Sequence, residues 1–203
     1  MSPHVAANRT YRSAQPLYLR GDHHTEVYQV LGGYVLLDCD SLDGRPCIVG
    51  LLGPGDYFGP GLNGGPATHR AVAKAGCHLR RESRQAFQAR LRSEPELALT
   101  LTSQLAAREA RLQQSLFLQQ AADLPQRLAW TLAELFTECG GPCRHGHQRD
   151  IKLSQQELAA MVGGSRQSVS QILNDWRRAG IIDYTRHYLC LENRHKLQHL
   201  LAS

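Results

Sequence analysis

The sequence has no apolar run near the roughly 18 residues that a membrane-spanning helix needs. Its first residues also lack the basic and then apolar stretches that mark a signal peptide. Aromatic residues are sparse, at 6%, but 42% of the 203 residues are hydrophobic and 20% are charged, as is usual in folded globular proteins. We therefore expect a cytoplasmic protein without a membrane partner, long enough for one large domain or two small ones.

Cysteine is too scattered to indicate a disulfide framework, and without an export signal we expect reduced thiols. Cys139, Cys143, His145 and His147 fall close together, but their spacing matches no common zinc motif. We therefore interpret residues 139 to 150 as a loop that forms a hairpin, and we expect no metal and no other cofactor. The net charge of +5 favours an anionic partner without identifying one.

Residues 16 to 87 alternate short β-rich runs with glycine, proline and aspartate, a pattern that predicts an antiparallel barrel or sandwich. Gly32 and Gly33 predict a tight hairpin turn within it. The predicted strands lie in PLYLRGD, EVYQVLGGYVLLDCD, RPCIVGLLGPGDYFG and RAVAKAGCHLRRES.

After Ser93 apolar residues recur at helical spacing, which predicts a helix of about six turns or more. Ser93 is its predicted N-cap, followed by Pro95 and Glu96 in the first turn. We expect the apolar stripe to form the seam of a homodimer, although packing against the chain's own β domain would explain the same spacing. The stripe consists of Leu97, Leu101, Leu105, Leu112 and Leu116.

Asp123 and Gln126 predict the reciprocally capped start of a further helix over RLAWTLAELF. The preceding LFLQQAA contains no strong helix breaker. We interpret it as a hinge between two domains.

The segment SQQELAAMVGGSRQSVSQIL, residues 154 to 173, has the most specific pattern. Ser154 and Glu157 form a predicted capping box, and the following Gly-Gly pair ends the first helix. Ser165 caps a second helix. Two short helices joined by a tight turn predict a helix-turn-helix, and GIIDYTRHYLCLEN after them predicts a two-stranded wing. The buried stripe of the second helix is predicted to be Val169, Ile172, Leu173 and Trp176.

The exposed face of the second helix has side chains suited to reading DNA, since arginine can bind guanine through two acceptors and glutamine can pair with adenine. An αα-corner in another kind of domain would share the two helices, but it would not need the caps, the glycine turn and the wing together. The exposed residues are Arg166, Gln167, Ser170, Gln171 and Asn174. Further candidates for phosphate contacts are Arg177, Arg178 and Arg186.

These motifs resemble those of the Crp/Fnr (catabolite activator / fumarate-nitrate regulator) superfamily of bacterial transcription factors, and in particular its cyclic-AMP-independent members. The resemblance extends from about Leu17 to Leu201. Its most specific part is residues 151 to 173, supported by glycine–aspartate pairs that end at Asp22 and Asp56 and by D-x-x-x-R-L-A from residue 123.

The resemblance implies an α+β fold in three parts. Residues 1–92 would form a β jelly-roll similar to a cyclic-nucleotide-binding domain, residues 93–122 a dimerisation helix and hinge, and residues 123–203 a winged helix-turn-helix. It further implies a homodimer on a pseudo-palindromic promoter site, RNA polymerase as a partner, activation more often than repression, and no enzyme activity.

Residue by residue, the resemblance also implies roles at the DNA. Base contacts fall to Arg166, Gln167, Ser170 and Gln171. Phosphate contacts fall to Ser154, Gln155, Ser165 and Ser168.

The effector pocket departs from the family pattern. Members that bind a cyclic nucleotide hold its phosphate with an Arg–Ser pair, its ribose with a glutamate, and its base with hydroxyl residues of the dimer helix. Ala71 and Pro60 cannot replace the serine and the glutamate, and each lost hydrogen bond costs about 1–3 kcal/mol. We therefore expect a degenerate pocket and DNA binding without cyclic AMP. The residues of that pocket would be Gly59, Pro60, Arg70, Ala71, Leu112 and Gln113.

An effector-gated sensor of the same fold stays open as an alternative, through a cyclic nucleotide, haem or thiol redox chemistry. Iron–sulfur sensing fits poorly, because residues 1 to 38 contain no cysteine. A cupin-like metal protein is disfavoured, because residues 16 to 87 contain no His-x-His cluster. Candidate haem ligands are His23, His24, His69 and Cys77, and candidate redox thiols are Cys39, Cys47 and Cys77.

Replacing Arg166 by alanine should abolish discrimination at one guanine of the bound site, because the guanidinium can donate to two guanine acceptors at once. Binding to unrelated duplex DNA should survive, since phosphate contacts supply it. Competition with duplexes substituted at single positions measures both effects. Equal loss on every duplex would refute the reading role of Arg166.

Overall fold

The computed structural model describes residues 6–40, 46–138, 140–141, 143, 149–184 and 188–201, with the backbone alone for residues 149 and 150. The described residues form two compact units, the first within residues 6–40 and 49–111 and the second within residues 46–48 and 112–201. In the described ranges, no helix combines the length and the apolar character that crossing a membrane requires.

The first unit contains two four-stranded sheets, with strand orders β1-β8-β3-β6 and β2-β7-β4-β5. This is the arrangement of a jelly roll, and it confirms the predicted N-terminal architecture. The strands are β1 (Ala7–Tyr11), β2 (Gln15–Tyr18), β3 (Glu26–Gly32), β4 (Val35–Asp40), β5 (Pro46–Leu52), β6 (Tyr57–Phe58), β7 (Arg70–Ala73) and β8 (Cys77–Ser83).

The connection between β3 and β4 shows that the hairpin predicted at Gly32 and Gly33 was wrong. β3 pairs with β6 and β8, whereas β4 pairs with β5 and β7, so these glycines carry the chain from one sheet to the other. Gly33 has a φ of +70°, and a Cβ there would lie 2.8 Å from the Cα of Cys77. Glycine is needed because another backbone passes this close.

Four aromatic rings are concentrated between the two sheets. Tyr28 and Phe58 stack with their centroids 5.2 Å apart, and Tyr18 lies 6.4 Å from Phe58. This packing fixes the roll around one buried cluster. Its buried members are Tyr11, Tyr18, Tyr28, Val30, Val35, Leu37, Leu52, Phe58, Ala67, Ala71, Ala73, Cys77 and Leu79.

Two helices follow the strands, α1 (Arg84–Ser93) and α2 (Pro95–Ala121). Ser93 is not the N-cap of α2, as predicted, but the last residue of α1, and its hydroxyl donates to the carbonyl of Arg90 at 3.1 Å. The predicted hinge LFLQQAA is also wrong in its extent, because α2 remains helical to Ala121. Without a breaker, helical hydrogen bonding continues through these residues.

The leucines of α2 differ in burial. Leu97 and Leu101 pack against Val27, Tyr57 and Phe87 of the first unit. In contrast, Leu105, Leu112 and Leu116 are 59%, 52% and 62% exposed. The five positions span only about 100° of the helix circumference, so they form one stripe, and the division follows position along the helix.

The second unit is a small helical domain with a three-stranded sheet, of order β10-β11-β9. The predicted wing pair is confirmed by β10 and β11, which are antiparallel, and β9 adds a third strand. Its elements are α3 (Leu124–Glu138), β9 (Arg149–Ile151), α4 (Gln155–Val162), α5 (Arg166–Arg178), β10 (Ile182–Tyr184), β11 (Leu189–Leu191) and α6 (Arg194–His199).

The start of α3 has the predicted reciprocal cap. The amide of Gln126 donates to Asp123 Oδ1 at 2.9 Å, and the amide of Asp123 donates to Gln126 Oε1 at 3.1 Å. Two donors left unpaired by the helix end are thereby satisfied. Apolar side chains of α3, α4, α5, α6 and the sheet fill the core of this unit. Among them Leu128, Leu132, Leu158, Val162, Leu173, Ile182 and Leu197 are buried almost completely.

Of the four candidate metal ligands in the loop before β9, Cys139, His145 and His147 lie outside the described residues. Cys143 is described and is partly buried. Among the residues that the structure describes, no three His, Cys, Asp or Glu side chains are placed to hold a metal ion.

Glu82 is 4% exposed, and its Oε1 lies 3.0 Å from Arg90 Nη1 and 3.9 Å from Arg80 Nε. Replacing Glu82 by glutamine should lower the free energy of unfolding of the first unit by about 3–5 kcal/mol, because it removes the buried carboxylate near the Arg90 guanidinium and, among the described residues, leaves that mostly buried charge with only the exposed Glu94. Urea unfolding followed by circular dichroism measures this loss.

Glu94→Gln provides the matched control. The Glu94 carboxylate lies 3.9 Å from the same Arg90, but its side chain is 54% exposed, so the substitution should cost at most about 1 kcal/mol. Equal losses for the two variants would contradict the role of burial.

Candidate nucleic-acid interface

The helix-turn-helix of α4 and α5 begins at Ser154. The Ser154 amide donates to Glu157 Oε2 at 2.9 Å, and the Glu157 amide donates to Ser154 Oγ at 3.2 Å, so the predicted capping box is present. Gly163 ends α4 in the left-handed conformation, with φ 66° and ψ 35°. A residue with a Cβ pays a penalty there, and glycine does not.

Two contacts hold the turn between the helices against the rest of the second unit. Arg127 of α3 donates from Nε to the carbonyl of Val162 at 3.0 Å, which satisfies an orphan acceptor at the end of α4. A Cβ on Gly164 would lie 2.8 Å from Leu124 Cδ1, so this position packs closely against α3. The angle at which α5 leaves the turn is therefore set by packing as well as by backbone conformation.

Ser165 caps α5 as predicted, since the amide of Ser168 donates to its Oγ at 3.0 Å. Val169, Leu173 and Trp176 are buried on one face of α5. Ile172, also predicted to be buried, is partly exposed. With its apolar face turned inward, α5 presents its polar face to solvent.

The polar face of α5 forms one side of an open groove. Arg166, Gln167 and Gln171 are exposed, and Arg166 forms no hydrogen bond or ion pair with the described part of the chain. Its guanidinium donors are hydrated and available to a ligand. The groove is lined by Gln155, Arg166, Gln167, Ser170, Gln171, Asn174, Asp175 and Arg178.

Five of the eight predicted DNA-contact residues therefore line this groove. The other three, Ser154, Ser165 and Ser168, lie at the helix starts with their hydroxyls already engaged: Ser154 Oγ donates to Glu157 Oε2 at 2.9 Å, and Ser165 Oγ lies 2.8 Å from Ser168 Oγ. Helix N-termini attract anions through their free amides and dipole. At these positions the backbone thus offers as much to a phosphate as the side chains do.

The three arginines predicted as phosphate contacts differ in their surroundings. Arg177 Nε lies 2.7 Å from Asp183 Oδ1, and Arg178 pairs with Asp175. Arg186 lies outside the described residues. Neighbouring carboxylates thus neutralise Arg177 and Arg178, which weakens their attraction for phosphate. Sequence reasoning could not foresee the pair of Arg177 with Asp183, because they meet only through the fold of the wing, whereas Asp175 and Arg178 are three residues apart on one helix.

The first unit contains a cavity of about 150 Å³. Small-molecule sites commonly measure roughly 300–1,000 Å³, so this space is small for a nucleotide. Its lining is mainly apolar. The lining residues are Tyr18, Leu37, Phe58, Gly59, Pro60, Leu62, Asn63, Pro66, Ala67, Thr68, His69 and Arg108.

Only Gly59 and Pro60, of the six residues assigned to the effector pocket, line this cavity. Arg70 is exposed and binds Asp38 through two hydrogen bonds of 2.7 and 2.8 Å. Ala71 is buried in the core between the sheets. The assignment of Arg70 and Ala71 is therefore corrected, because the residues of this stretch that reach the cavity are Ala67, Thr68 and His69. Leu112 and Gln113 are exposed on α2 and do not line it.

Arg108 is the residue of the cavity that sequence reasoning missed. It enters from α2, and burial lowers the pKa of its guanidinium while the negative charge of Asp56 opposes that shift. The spacing in the sequence could have indicated this role. Arg108 follows Leu101 by seven residues and Gln104 by four, which places all three on one helix face. The Gln104 amide donates to the carbonyl of Gly55 at 3.2 Å, so this face is turned toward the strands.

Two of the residues named for the sensing alternatives, Cys77 and His69, are poorly suited to them. Burial raises the pKa of the Cys77 thiol to about 11, which leaves too little thiolate for redox sensing. His69 is hydrogen bonded through both ring nitrogens, to Tyr18 at 3.1 Å and to Thr68 at 3.0 Å, so neither is free for haem. His24 lies 3.5 Å from Asp22.

Comparison with known proteins finds a matching protein-family model for each of the two units. The model of the cyclic nucleotide-binding domain matches residues 8–94, and that of the Crp-like helix-turn-helix domain matches residues 126–200. A Cyclic AMP receptor protein of Thermus thermophilus is 30% identical over 176 residues, which cover 86% of this chain and 78% of the relative. A Global nitrogen regulator of Synechocystis is 27% identical, covering 91% and 84%. A solved CRP-family transcriptional regulator from Thermus thermophilus is 25% identical, with a TM-score of 0.79 and 97% of both chains covered.

Burial, assisted by Arg108, lowers the pKa of His69 below its ordinary 6.5. As the pH falls through 6.5, His69 takes up a proton in the unfolded chain but not in the folded chain. The free energy of unfolding therefore decreases until the pH reaches the pKa of folded His69. The stability advantage of wild type over His69→Gln should therefore shrink between about pH 7.5 and about pH 5.5. Urea unfolding across this range measures the difference, and a constant difference would contradict the shift.

Proposed function

The chain belongs to the Crp/Fnr family of transcription regulators, and from that premise we propose that it is a homodimeric activator that binds a pseudo-palindromic promoter site without cyclic AMP. It acts in the cytoplasm, where promoter DNA and RNA polymerase are found. Basic and amide groups position the dimer on phosphates, α5 reads bases in the major groove, and an outer surface recruits RNA polymerase.

The observation that carries the proposal is the polar face of α5. Arg166 and Gln167 occupy its first turn, where helices of this type contact base edges, and Gln171 follows one turn later. A guanidinium and two amides held in water by a rigid helix can exchange hydration for base contacts without rearrangement of the backbone. This arrangement supports base reading more directly than the net charge does.

The exposed part of the α2 stripe supports a homodimer. Leu105, Leu112 and Leu116 follow the spacing of seven and four residues that is typical of a coiled-coil seam. A second copy of α2 would cover three leucines that are otherwise more than half exposed. Two copies of α5 would then meet two half-sites related by the same twofold axis.

The cavity of the first unit supports independence from cyclic AMP. The Thermus relative is named for cyclic AMP and the Synechocystis relative for nitrogen, so membership of the family does not by itself fix an effector. Here the space is about 150 Å³, and Pro60 offers no carboxylate to a ribose. Ala67 and Thr68, rather than an arginine and a serine, come from the stretch before β7.

Selection of bound sites from random duplex DNA, with and without cyclic AMP, tests the proposal. The same pseudo-palindrome should be enriched in both arms, and ligand-free protein should bind it with a Kd of about 10⁻⁸ M or tighter. The expected reason is that nothing in the β domain has to be filled before α5 meets DNA.

Enrichment in the cyclic AMP arm alone would overturn the effector-free mechanism and favour the effector-gated alternative. Enrichment of no sequence in either arm would count against sequence-specific binding altogether. A transcription assay on the selected site with purified RNA polymerase then separates activation, which we expect as increased transcript, from repression.

A further inference from the structure

Asn174 lines the groove beside the base-reading residues, but it is held from outside α5. The phenol of Tyr184, the last residue of β10, donates to Asn174 Oδ1 at 2.7 Å. The wing and the recognition helix are therefore joined by a side-chain hydrogen bond at the rim of the groove.

Tyr184 is itself held by its neighbours. Arg177 Cζ lies 5.5 Å from the centre of the Tyr184 ring, and Arg177 Nε pairs with Asp183 Oδ1 at 2.7 Å. The backbone amide of Tyr184 donates to the same Asp183 oxygen at 2.8 Å. The phenol consequently meets Asn174 from a fixed direction.

The hydrogen bond from Tyr184 determines what Asn174 can offer a ligand. A side-chain amide pairs with adenine by using its oxygen and its nitrogen together. Here the oxygen is occupied and the amide nitrogen keeps two donor hydrogens. Asn174 is thereby arranged as a donor, suited to an acceptor such as a phosphate oxygen.

The position of Asn174 along α5 favours a backbone phosphate over a base as the acceptor of its hydrogen bond. Arg166, Ser170 and Asn174 succeed one another at intervals of four residues, so they share one face of the helix. Asn174 lies about 12 Å beyond Arg166 along the axis, and the major groove is itself about 12 Å wide. When the first turn of α5 is inside the groove, the third turn is at its edge, where the sugar–phosphate strand runs.

We propose that Asn174 donates a hydrogen bond to one backbone phosphate of each half-site, and that Tyr184 is a positioning residue that orients its amide for this contact. The inference rests on the proposed function, because it requires α5 to enter the major groove. In this proposal a neutral residue, Asn174, fixes the position of α5 along the DNA. Arg177 does not serve this purpose, because its charge is paired with Asp183.

Fluorescence anisotropy with the selected duplex and a scrambled duplex tests the contact. Asn174→Ala should weaken binding to both by about tenfold, without changing the preferred bases, because a phosphate is present in every sequence. Asn174→Asp should weaken binding more, since it still accepts from Tyr184 but brings a carboxylate to the phosphate. Tyr184→Phe, which keeps the ring under Arg177, should weaken binding about threefold.

Two further readouts distinguish positioning from general structure. Adding Tyr184→Phe to Asn174→Ala should cause no further loss, because the phenol acts through the amide. In a set of duplexes that each carry one methylphosphonate, one position per half-site should weaken the wild type about threefold, because it removes one of the two contacts that Asn174→Ala removes, and should leave Asn174→Ala unaffected. The thermal unfolding midpoints of all variants should match that of wild type.

Selection of a duplex by wild type precedes these comparisons, so failure of the proposed function appears as failed selection. Failure of the present proposal appears separately, as an Asn174→Ala variant that binds the selected duplex as tightly as wild type. A changed preference at a single base pair in Asn174→Ala would also overturn it, because Asn174 would then read a base. If the two substitutions reduce the affinity additively in the double variant, Tyr184 does not act through Asn174 and is not a positioning residue.

Discussion

Between α4 and α5 the chain turns within three residues, and the DNA-facing surface depends on that turn. Gly163 takes a left-handed conformation, Gly164 packs against Leu124, and Ser165 caps the next helix. Arg127 satisfies the carbonyl of Val162 at the same place. A change of angle here would turn Arg166 away from the groove or lift the buried stripe of α5 out of its core. The polar face is therefore positioned by local backbone chemistry, and packing against α3 makes it rigid.

This locality explains why the helix-turn-helix could be predicted from the sequence. Capping boxes, glycine turns and a helical stripe are patterns of neighbouring residues, and the structure contains each of them. The jelly roll was foreseen as a class, but not its pairing, because β3 and β4 enter different sheets through contacts that are distant in sequence. β1 was missed because four of its five residues are exposed and show no alternation. α1 was missed because only Phe87 is buried on it.

In the β domain too, the contacts that the sequence did not predict join residues far apart in the chain. The family resemblance suggested Arg70 for the effector pocket, yet its partner is Asp38 on β4, and no local pattern could predict that pair. Arg108 reaches the cavity from α2, more than thirty residues later in the chain. A residue of the long helix thus forms part of the cavity wall.

The central claim is that two copies of α5 are presented to DNA one helical turn apart by a symmetric dimer. Hydroxyl-radical and dimethyl sulfate footprinting of the ligand-free protein on its selected site measures that geometry directly. The account predicts two protected major-groove patches with centres about 10–10.5 base pairs apart, equivalent under the twofold axis of the site. A single protected patch, or two patches at a spacing that places them on opposite sides of the duplex, would contradict it.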